Sequence, residues 1–451
     1  MDLALFGYNL LVSTVGYGAF KLLQLSNGFR CEATFWEGRL GVYGPDHADL
    51  KTERPRFWFH AASIGEVTGS VATVHLLRQR CPSATIWLTV GTPQGLRFAH
   101  EQLGDIATVL PFPLDFPWVL KRAMQTFQPD LYVALESEFW PSLFGFLRRY
   151  QVPAVLLNGK LSRKSARRYA FLRPLYQPIF QQFRWLAMHS PADREHALLL
   201  GAAPERVHVL GSAKYDCLLT RTLKGNQTGW QRILRLEPDT VVLVGGSLRR
   251  SECTALLHIF QQLSETVPHL VGIFAPRHLH RLPTMIEWLR ERQIPFQLLS
   301  HLEQAEQIRE AQVILVDQMG VLFDLYALGH LIFCGGTLES IGGHNILEPV
   351  AWGKPVFYGP HLESVKEEHT LLQGAGGGRL VPDATALLQE WRHWAGNIPE
   401  LMAHGERAKE VIQKLGGVAE KQVDLMLASL YGANRSRCQG ATPSERELFN
   451  R

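Results

Sequence analysis

Residues 56–67 read RFWFHAASIGEV, and the rest of the chain is best read outward from them. The aromatic run at 56–60 has the composition of a buried strand. It passes through Ala61-Ala62-Ser63 into Gly65, which permits a tight turn, and an amphipathic stretch begins at Val67. Strand, glycine turn and helix in immediate succession open a βαβ unit, the building block of a parallel sheet. Glu66 then sits in the first helical turn, where the helix dipole favours an anion. Two readings of it stand open. It is a helix cap, or, because ligands in such sheets bind outside the carboxyl ends of the strands, a general base.

The same alternation continues along the chain. Strand candidates fall at 56–60, 85–90, 131–135, 154–158, 185–189 and 207–211, with helical stretches such as 67–79, 117–126 and 162–180 between them. It lapses around 218–238 and resumes with strands at 241–245, 270–274, 313–316, 331–334 and 355–358. The expected fold is α/β, two doubly wound domains facing a cleft. The expected divisions are a membrane-associated segment at 1–27, a first domain at 28–217, a linker at 218–238, a second domain at 239–432 and a flexible tail at 433–451. At about 150 residues per domain, this length suits two or three domains.

The N-terminus is where a membrane enters the reading. LALFGYNLLVSTVGYGAF, residues 3–20, is interrupted only by Asn9, Ser13 and Thr14 as polar residues, and as a helix reaches ~27 Å, close to a hydrocarbon core. No basic cluster precedes it and no small-residue cleavage site follows, so a cleaved signal peptide does not fit. Lys21 and Arg30 lie downstream, which places the body of the chain on the cytoplasmic side. Whether the segment spans the bilayer or lies on it stays open.

Composition narrows the class. Hydrophobic residues at 46% and charged residues at 20% exclude a disordered or fibrous chain. A net charge of +4 with no zinc finger, RNP motif or basic arm argues against nucleic acid as partner. Six cysteines without a CxxC pair argue against a zinc ribbon or a disulfide framework, and suit a reducing compartment.

Motifs after the strands carry the chemistry. LYVAL at 131–135 ends in Glu136-Ser137-Glu138-Phe139-Trp140-Pro141, paired acids that are solvated caps or hold a substrate hydroxyl or a catalytic proton. Arg277 and His278, after the strand at 270–274, suit a phosphate, though an Arg after Pro is also a common surface feature. Cys334-Gly335-Gly336-Thr337 and then Gly342-Gly343-His344-Asn345 offer backbone N–H groups as an anion cradle, with Glu348 placed to reach a ribose hydroxyl. Plain turns are the alternative. Walker, dinucleotide, nucleophile-elbow and zincin patterns are all missing, as is any D-x-D pair to grip a metal and pyrophosphate.

Between Glu138 and Asp193 the chain has no acidic residue, while Arg148, Arg149, Lys160, Arg163, Lys164, Arg167, Arg168, Arg173 and Arg184 fall inside. This is a solvated helix or a surface for anionic headgroups or a phosphorylated acceptor, at about 1 kcal/mol per cation near an anionic membrane.

Taken in order, FHAASIGEV, TVGTPQGLRFA, ALESEFWPSLF, LNGKLSRKSARRY, VLGSAKYD, GGSLRRSE, APRH, DQMGVLFDLYALGHLIFCGGT and IGGHNILEPVAWGKPVFYGPH resemble the 3-deoxy-D-manno-octulosonic acid (Kdo) transferases of Gram-negative bacteria. The resemblance covers roughly residues 28–375. It implies two Rossmann-like halves of the GT-B type and an N-terminus anchored at the cytoplasmic face of the inner membrane. The implied reaction moves Kdo from CMP-Kdo to the lipid A precursor (lipid IVA). The resemblance makes Glu66 the catalytic base and Glu136 the motif acid, with Glu138 beside it. Ser247, Arg277, His278, Gly320, Asn345, Glu348 and Lys214 become donor contacts, with Arg277, Lys214 and the start of the helix after GGHN against the departing phosphate. Lys160, Arg163, Lys164, Arg167 and Arg168 are the candidates for acceptor or lipid phosphate. No cofactor and no metal are expected, since CMP leaves with a single phosphate. The chain departs from the family pattern at Lys160, where relatives often carry Arg, and at Arg249 and Ser251, where they usually carry His and Gly. A sugar-nucleotide epimerase or another nucleotide-sugar transferase of the same fold is the alternative. It gives no use to the basic stretch or the apolar N-terminus. A two-lobed solute-binding protein needs export and fits the sequence less well.

Overall fold

The computed structural model describes residues 3–23, 33–44, 53–304, 308–340, 342–343 and 345–431. The expected tail at 433–451 lies outside the described residues. The chain forms two units, one made of residues 1–217 and 415–451, the other of residues 218–414.

The first unit is built on a parallel sheet of β1 (Arg56–Ala61), β2 (Thr85–Val90), β3 (Thr108–Pro111), β4 (Leu131–Leu135), β5 (Ala154–Gly159), β6 (Phe183–Met188) and β7 (Val207–Val209). Its strand order is β3-β2-β1-β4-β5-β6-β7, so the winding reverses between β1 and β4. Strands covered on both faces need near-continuous apolar runs, and β4, LYVAL, is buried throughout. The two faces read off β1: Trp58 joins Trp87, Tyr132 and Phe127 on one side, while Phe57 and Phe59 join Val67, Val71 and Leu88 on the other. Each such fully buried large side chain contributes roughly 1.5–3 kcal/mol. Helix Ile64–Arg80, which follows β1, covers the second face, and helix Pro141–Arg149, which follows β4, covers the first. The two helices next to the switch point thus leave on opposite sides, and their N-termini flank the carboxyl end of the sheet.

The second unit repeats the design with β8 (Val241–Leu248), β9 (Leu270–Pro276), β10 (Phe296–Leu298), β11 (Val313–Leu315), β12 (Leu331–Cys334), β13 (Val356–Tyr358) and β14 (Gly378–Leu380). The order is β10-β11-β9-β8-β12-β13-β14, all parallel, with the reversal between β8 and β12. Gly335, just past β12, lies so close to β8 that a Cβ there would sit 2.5 Å from the Ser247 carbonyl oxygen. A side chain at 335 would force the two central strands apart.

Four sequence expectations need correction. β3 (TVLP), β10 (FQL) and β14 (GRL) are absent from the strand expectations: they are three or four residues long, as β7, β11 and β13 also are, but each includes a proline, glutamine or glycine-arginine pair that breaks the apolar run. The helix expected over 162–180 is two helices, Arg163–Phe171 and Arg173–Gln182, because Pro174 restarts the chain after Leu172. The expected linker at 218–238 is instead largely helical: helix Lys214–Lys224 runs on past Cys217, and Gln227–Ile233 follows, capped by the Asn226 side chain. Its polar composition belongs to surface helices, with Trp230 the buried anchor.

Last, helix Val418–Tyr431 does not complete the second domain but returns to the first unit. Asp216 accepts from the backbone N–H groups of Gly417 (2.6 Å), Val418 (3.1 Å) and Ala419 (3.0 Å), capping a helix 200 residues away. Val423 and Met426 enter the core beside helix Ile64–Arg80. Gln422 is fully buried, accepts from Thr73 Oγ1 (2.7 Å) and donates to Asn158 Oδ1 (2.9 Å).

At the N-terminus, helix Leu3–Leu11, a π-helical turn Val12–Gly16 and helix Tyr17–Leu23 form one continuous rod. Leu3–Phe20 is long and apolar enough to cross a membrane. One side of the rod is docked: Tyr8 donates to Asp115 Oδ2 (3.0 Å), Asn9 accepts from Ser142 Oγ (2.7 Å), and Phe20 packs with Phe116 and Val119. Leu3, Phe6, Leu10, Leu11 and Val15 stay exposed.

Candidate active site

The carboxyl ends of β1 and β4 are neighbours at the switch point of the first sheet, and three carboxylates follow them: Glu66 after β1, Glu136 and Glu138 after β4. Glu66 is 8% exposed, and its Oε2 accepts from the Ala62 N–H at 2.6 Å. That bond folds the side chain back over the turn it came from, holding it at the strand end. Burial pushes its carboxyl up, and the charge of Glu138 pushes it further. The Ala62 N–H partly opposes this, Glu136 adds to it and Lys214 opposes it, leaving Glu66 at about 8. A carboxyl raised into that range takes a proton from a hydroxyl far more readily than an ordinary one.

Glu138 is wired quite differently. His60, fully buried in β1, places Nδ1 3.1 Å from the Thr89 carbonyl oxygen and Nε2 3.0 Å from Glu138 Oε2. The ring thus bridges the end of β2 and the Glu138 carboxylate, one nitrogen facing each. The Trp140 indole N–H donates to the same oxygen at 2.8 Å, and the His60 ring stacks on Phe112. Burial raises the Glu138 carboxyl, but His60, Trp140 and the charge of Arg39 outweigh it and hold Glu138 below the ordinary range. Glu138 is therefore a fixed negative charge, and Glu66 is the carboxyl that responds to it.

Glu136 occupies a left-handed backbone conformation (φ 50°), and its Oε1 accepts from Lys214 Nζ at 3.3 Å. Asn158, at the end of β5, has φ 53° and joins three elements: it donates to the Gly69 carbonyl (3.0 Å) and accepts from Ala213 N–H (3.1 Å) and Gln422. Non-glycine residues held at positive φ store strain and gather at functional strand ends. Lys214 thus lies in the first unit on Glu136, whereas the other residues assigned to the donor belong to the second. His60, Trp140 and Asn158 were not singled out in the sequence. A histidine inside a fully buried strand was the available signal for the first of them.

In the second unit, Ser247 has φ 53° where the register of β8 against β9 shifts. The Arg277 N–H donates to the Leu248 carbonyl (2.9 Å), tying the end of β9 to the end of β8. Desolvation and the neighbouring Arg249, Arg277, His280 and Arg281 hold His278 below its ordinary range, and three of these neighbours are guanidinium groups. Gly320 has φ 93° in open space just before helix Leu322–Tyr326. Asn345 Oδ1 accepts from Leu347 N–H (3.1 Å), and Glu348 Oε1 lies 3.7 Å from an Arg221 guanidinium nitrogen.

The expected anion cradle takes a different form. The N–H groups of Gly336 (2.7 Å), Thr337 (3.1 Å) and Leu338 (3.0 Å) already donate to the buried Glu252 carboxylate, which also accepts from Arg249 N–H (2.9 Å). This nest is filled by the protein's own anion, so it fixes the loop after β12 rather than holding a ligand. The helix opened by GGHN is only Leu347–Ala351, and Asn345 already occupies its Leu347 N–H, so little dipole is left for a phosphate. The role of Glu252 is not legible in sequence because its partners in the loop after β12 lie 84 or more residues away.

On helix Arg163–Phe171, Ser162 caps the N-terminus and Ala166 and Tyr169 face inward. Arg163, Lys164, Arg167 and Arg168 are exposed, as is Lys160 before it, with Arg168 lying over the Tyr169 ring at 5.2 Å. Phe171, 88% exposed, follows directly. The nearest acid in sequence, Asp193, is buried and accepts from Leu161 N–H at 2.7 Å, so it is turned away from these cations.

A family model described as 3-deoxy-D-manno-octulosonic-acid transferase (kdotransferase) matches residues 34–217. The 3-deoxy-D-manno-octulosonic acid transferase of Aquifex aeolicus is 30% identical over 339 residues, covering 75% of this chain and 86% of the relative. A bifunctional glycosyltransferase/methyltransferase of Fusobacterium nucleatum is 32% identical over 322 residues, 71% of this chain, and the chain spans about half (49%) of its length. Among solved structures, the UDP-GlcNAc 2-epimerase of Neisseria meningitidis aligns with a TM-score of 0.53 at 13% identity, over 82% of this chain and 99% of its own. That likeness speaks to fold alone, two Rossmann-like units of the GT-B type. By these relatives the chain belongs to the 3-deoxy-D-manno-octulosonic acid (Kdo) transferases.

Proposed function

We propose that this chain is a metal-independent, inverting transferase that moves Kdo from CMP-Kdo to the lipid A precursor at the cytoplasmic face of the inner membrane. The observation that carries this reading is Glu66: a buried carboxyl raised to about 8, held at the switch point of the first sheet by the Ala62 N–H. Glu66 takes the proton from the acceptor hydroxyl. The oxygen then attacks the anomeric carbon of Kdo, and the bond to the CMP phosphate breaks on the opposite face with its electron pair leaving on CMP. Arg277 and the cations beside it oppose the charge that develops on that phosphate. A monophosphate leaving group needs less compensation than a pyrophosphate, which is why no metal is invoked. Asn345 and Glu348 hold the nucleotide, and Glu136 keeps the Lys214 charge within reach of Glu66. The cations of helix Arg163–Phe171 and the exposed apolar side of the N-terminal rod supply affinity for an anionic glycolipid and its bilayer.

The test is a product mass spectrum. The full chain in detergent is given a tetraacyl lipid A precursor and CMP-Kdo regenerated in place, with chelator present. A mass gain of one or more Kdo units is expected. CMP-Kdo binding without a lipid product would overturn the acceptor, and neither binding nor product would favour another GT-B enzyme such as an epimerase.

A further inference from the structure

Glu348 is not an isolated carboxylate at the mouth of a short helix. Arg221, on helix Lys214–Lys224, sets its guanidinium 3.7 Å from Glu348 Oε1 and 3.9 Å above the centre of the Phe323 ring. Phe323 is itself fixed. It is buried, its ring packs against Trp352 with centroids 5.5 Å apart, and the Trp352 indole N–H donates to the Phe323 carbonyl at 2.8 Å. Arg221 is therefore clamped on a rigid aromatic platform with its charged edge toward one carboxylate.

The electrostatics give this arrangement a consequence. Burial raises the Glu348 carboxyl, and the charge of Arg221, then that of Arg277, works against it. An ionised carboxylate accepts from two hydroxyls at once, whereas a protonated one gives up part of that capacity. A carboxylate that reads the ribose hydroxyls works best ionised and held in one plane; a stacked guanidinium favours the ionised form against burial and fixes the plane.

We infer that Arg221 is a positioning residue for nucleotide recognition: stacked on Phe323 and paired with Glu348, it orients the Glu348 carboxylate toward the ribose of the donor. The inference rests on the reading of the second unit as the CMP site, and it adds a residue that none of the motifs contains. It separates two kinds of nucleotide contact. Loss of Arg221 removes ribose discrimination, while loss of a phosphate contact weakens all nucleotides alike.

The experiment measures binding of CMP and of 2′-deoxy-CMP to the full chain by calorimetry, for wild type, Arg221→Ala and Arg221→Lys. Wild type is expected to favour CMP by about tenfold or more, since a site built for a hydroxyl rejects its deoxy analogue. Arg221→Ala should lose about tenfold in CMP affinity with 2′-deoxy-CMP nearly unchanged, collapsing the ratio. Arg221→Lys keeps the charge but not the planar stack, so its ratio should fall between the two; it also serves if the alanine variant does not fold. Equal losses for both nucleotides, or no loss in either variant, would overturn the inference, as would a wild type that binds both equally. A wild type that binds neither nucleotide would instead overturn the CMP reading of the unit, and this inference with it.

Discussion

His60 Nε2 and Glu138 Oε2 lie 3.0 Å apart in the buried end of the first sheet, and this pair sets the electrostatic background of Glu66. Glu138 stays negative because His60 and Trp140 both serve its carboxylate, and that charge is second only to burial in raising Glu66. Glu138→Gln removes the charge while keeping much of the shape. The acidic limb of kcat/KM against pH should move down by roughly one unit, and kcat should fall because a less basic Glu66 is a weaker proton acceptor. An unmoved limb would mean that Glu138 does not act on Glu66.

The raised Glu66 carboxyl also ties stability to pH. Its folded value of about 8 lies above the ordinary 4.5, so between those limits the folded chain binds the proton more tightly than the unfolded chain does. Its contribution is fully present below about pH 4.5 and is lost as pH rises through about 8. Glu66→Gln removes that loss. The variant should melt higher than wild type near pH 8.5, on the order of 5 °C, with the gap closing toward pH 5. Thermal melts across that range check the sign, and a gap that widens on acidification would contradict it.

Gln422 probes the return of the last helix. Its amide bridges Thr73 and Asn158 with no exposure to solvent. Gln422→Ala leaves the buried Thr73 hydroxyl without its acceptor and takes one of two donors from Asn158 Oδ1, which keeps the Ala213 N–H, and should destabilise the first unit by about 1–3 kcal/mol. Urea unfolding followed by tryptophan fluorescence reads this. Unchanged stability would mean that the helix is not integral to that unit.

The βαβ alternation, the passage from strand to helix before Glu66 and the basic stretch are legible in sequence because each is a local pattern, although the helix already starts at Ile64 and takes in Gly65, where the sequence suggests a glycine turn. The features that organise the site are not local. His60 meets Glu138 across 78 residues, Glu252 fills the nest at Gly336 across 84, and Asp216 caps a helix that starts 202 residues later. A sequence shows Gly335-Gly336 as an inviting turn but not that the protein's own glutamate occupies it. Nor does periodicity state which sheet a final amphipathic helix covers: the second domain expected at 239–432 takes in Val418–Tyr431, which belongs to the first unit. Strand-end residues such as Glu136 and Ser247 were marked, while their positive φ values were visible only in the fold.

The cations of helix Arg163–Phe171 give a membrane prediction. Replacing Arg163, Lys164 and Arg167 with Gln should weaken binding to anionic vesicles by about 1 kcal/mol per residue, roughly fivefold each at low salt, and leave binding to neutral vesicles unchanged. Vesicle sedimentation measures both. Equal loss on neutral vesicles would point to a folding defect rather than to lost charge.

The general-base role of Glu66 is the claim on which the mechanism stands. The direct measurement is Kdo transfer by Glu66→Gln beside its affinity for CMP. Glutamine preserves size and accepts the Ala62 N–H through its carbonyl, but takes no proton at neutral pH. The expected result is turnover reduced by at least about a thousandfold with CMP affinity within about twofold of wild type. Substantial remaining turnover, or collapse of CMP binding together with activity, would contradict the role and return Glu66 to a structural cap.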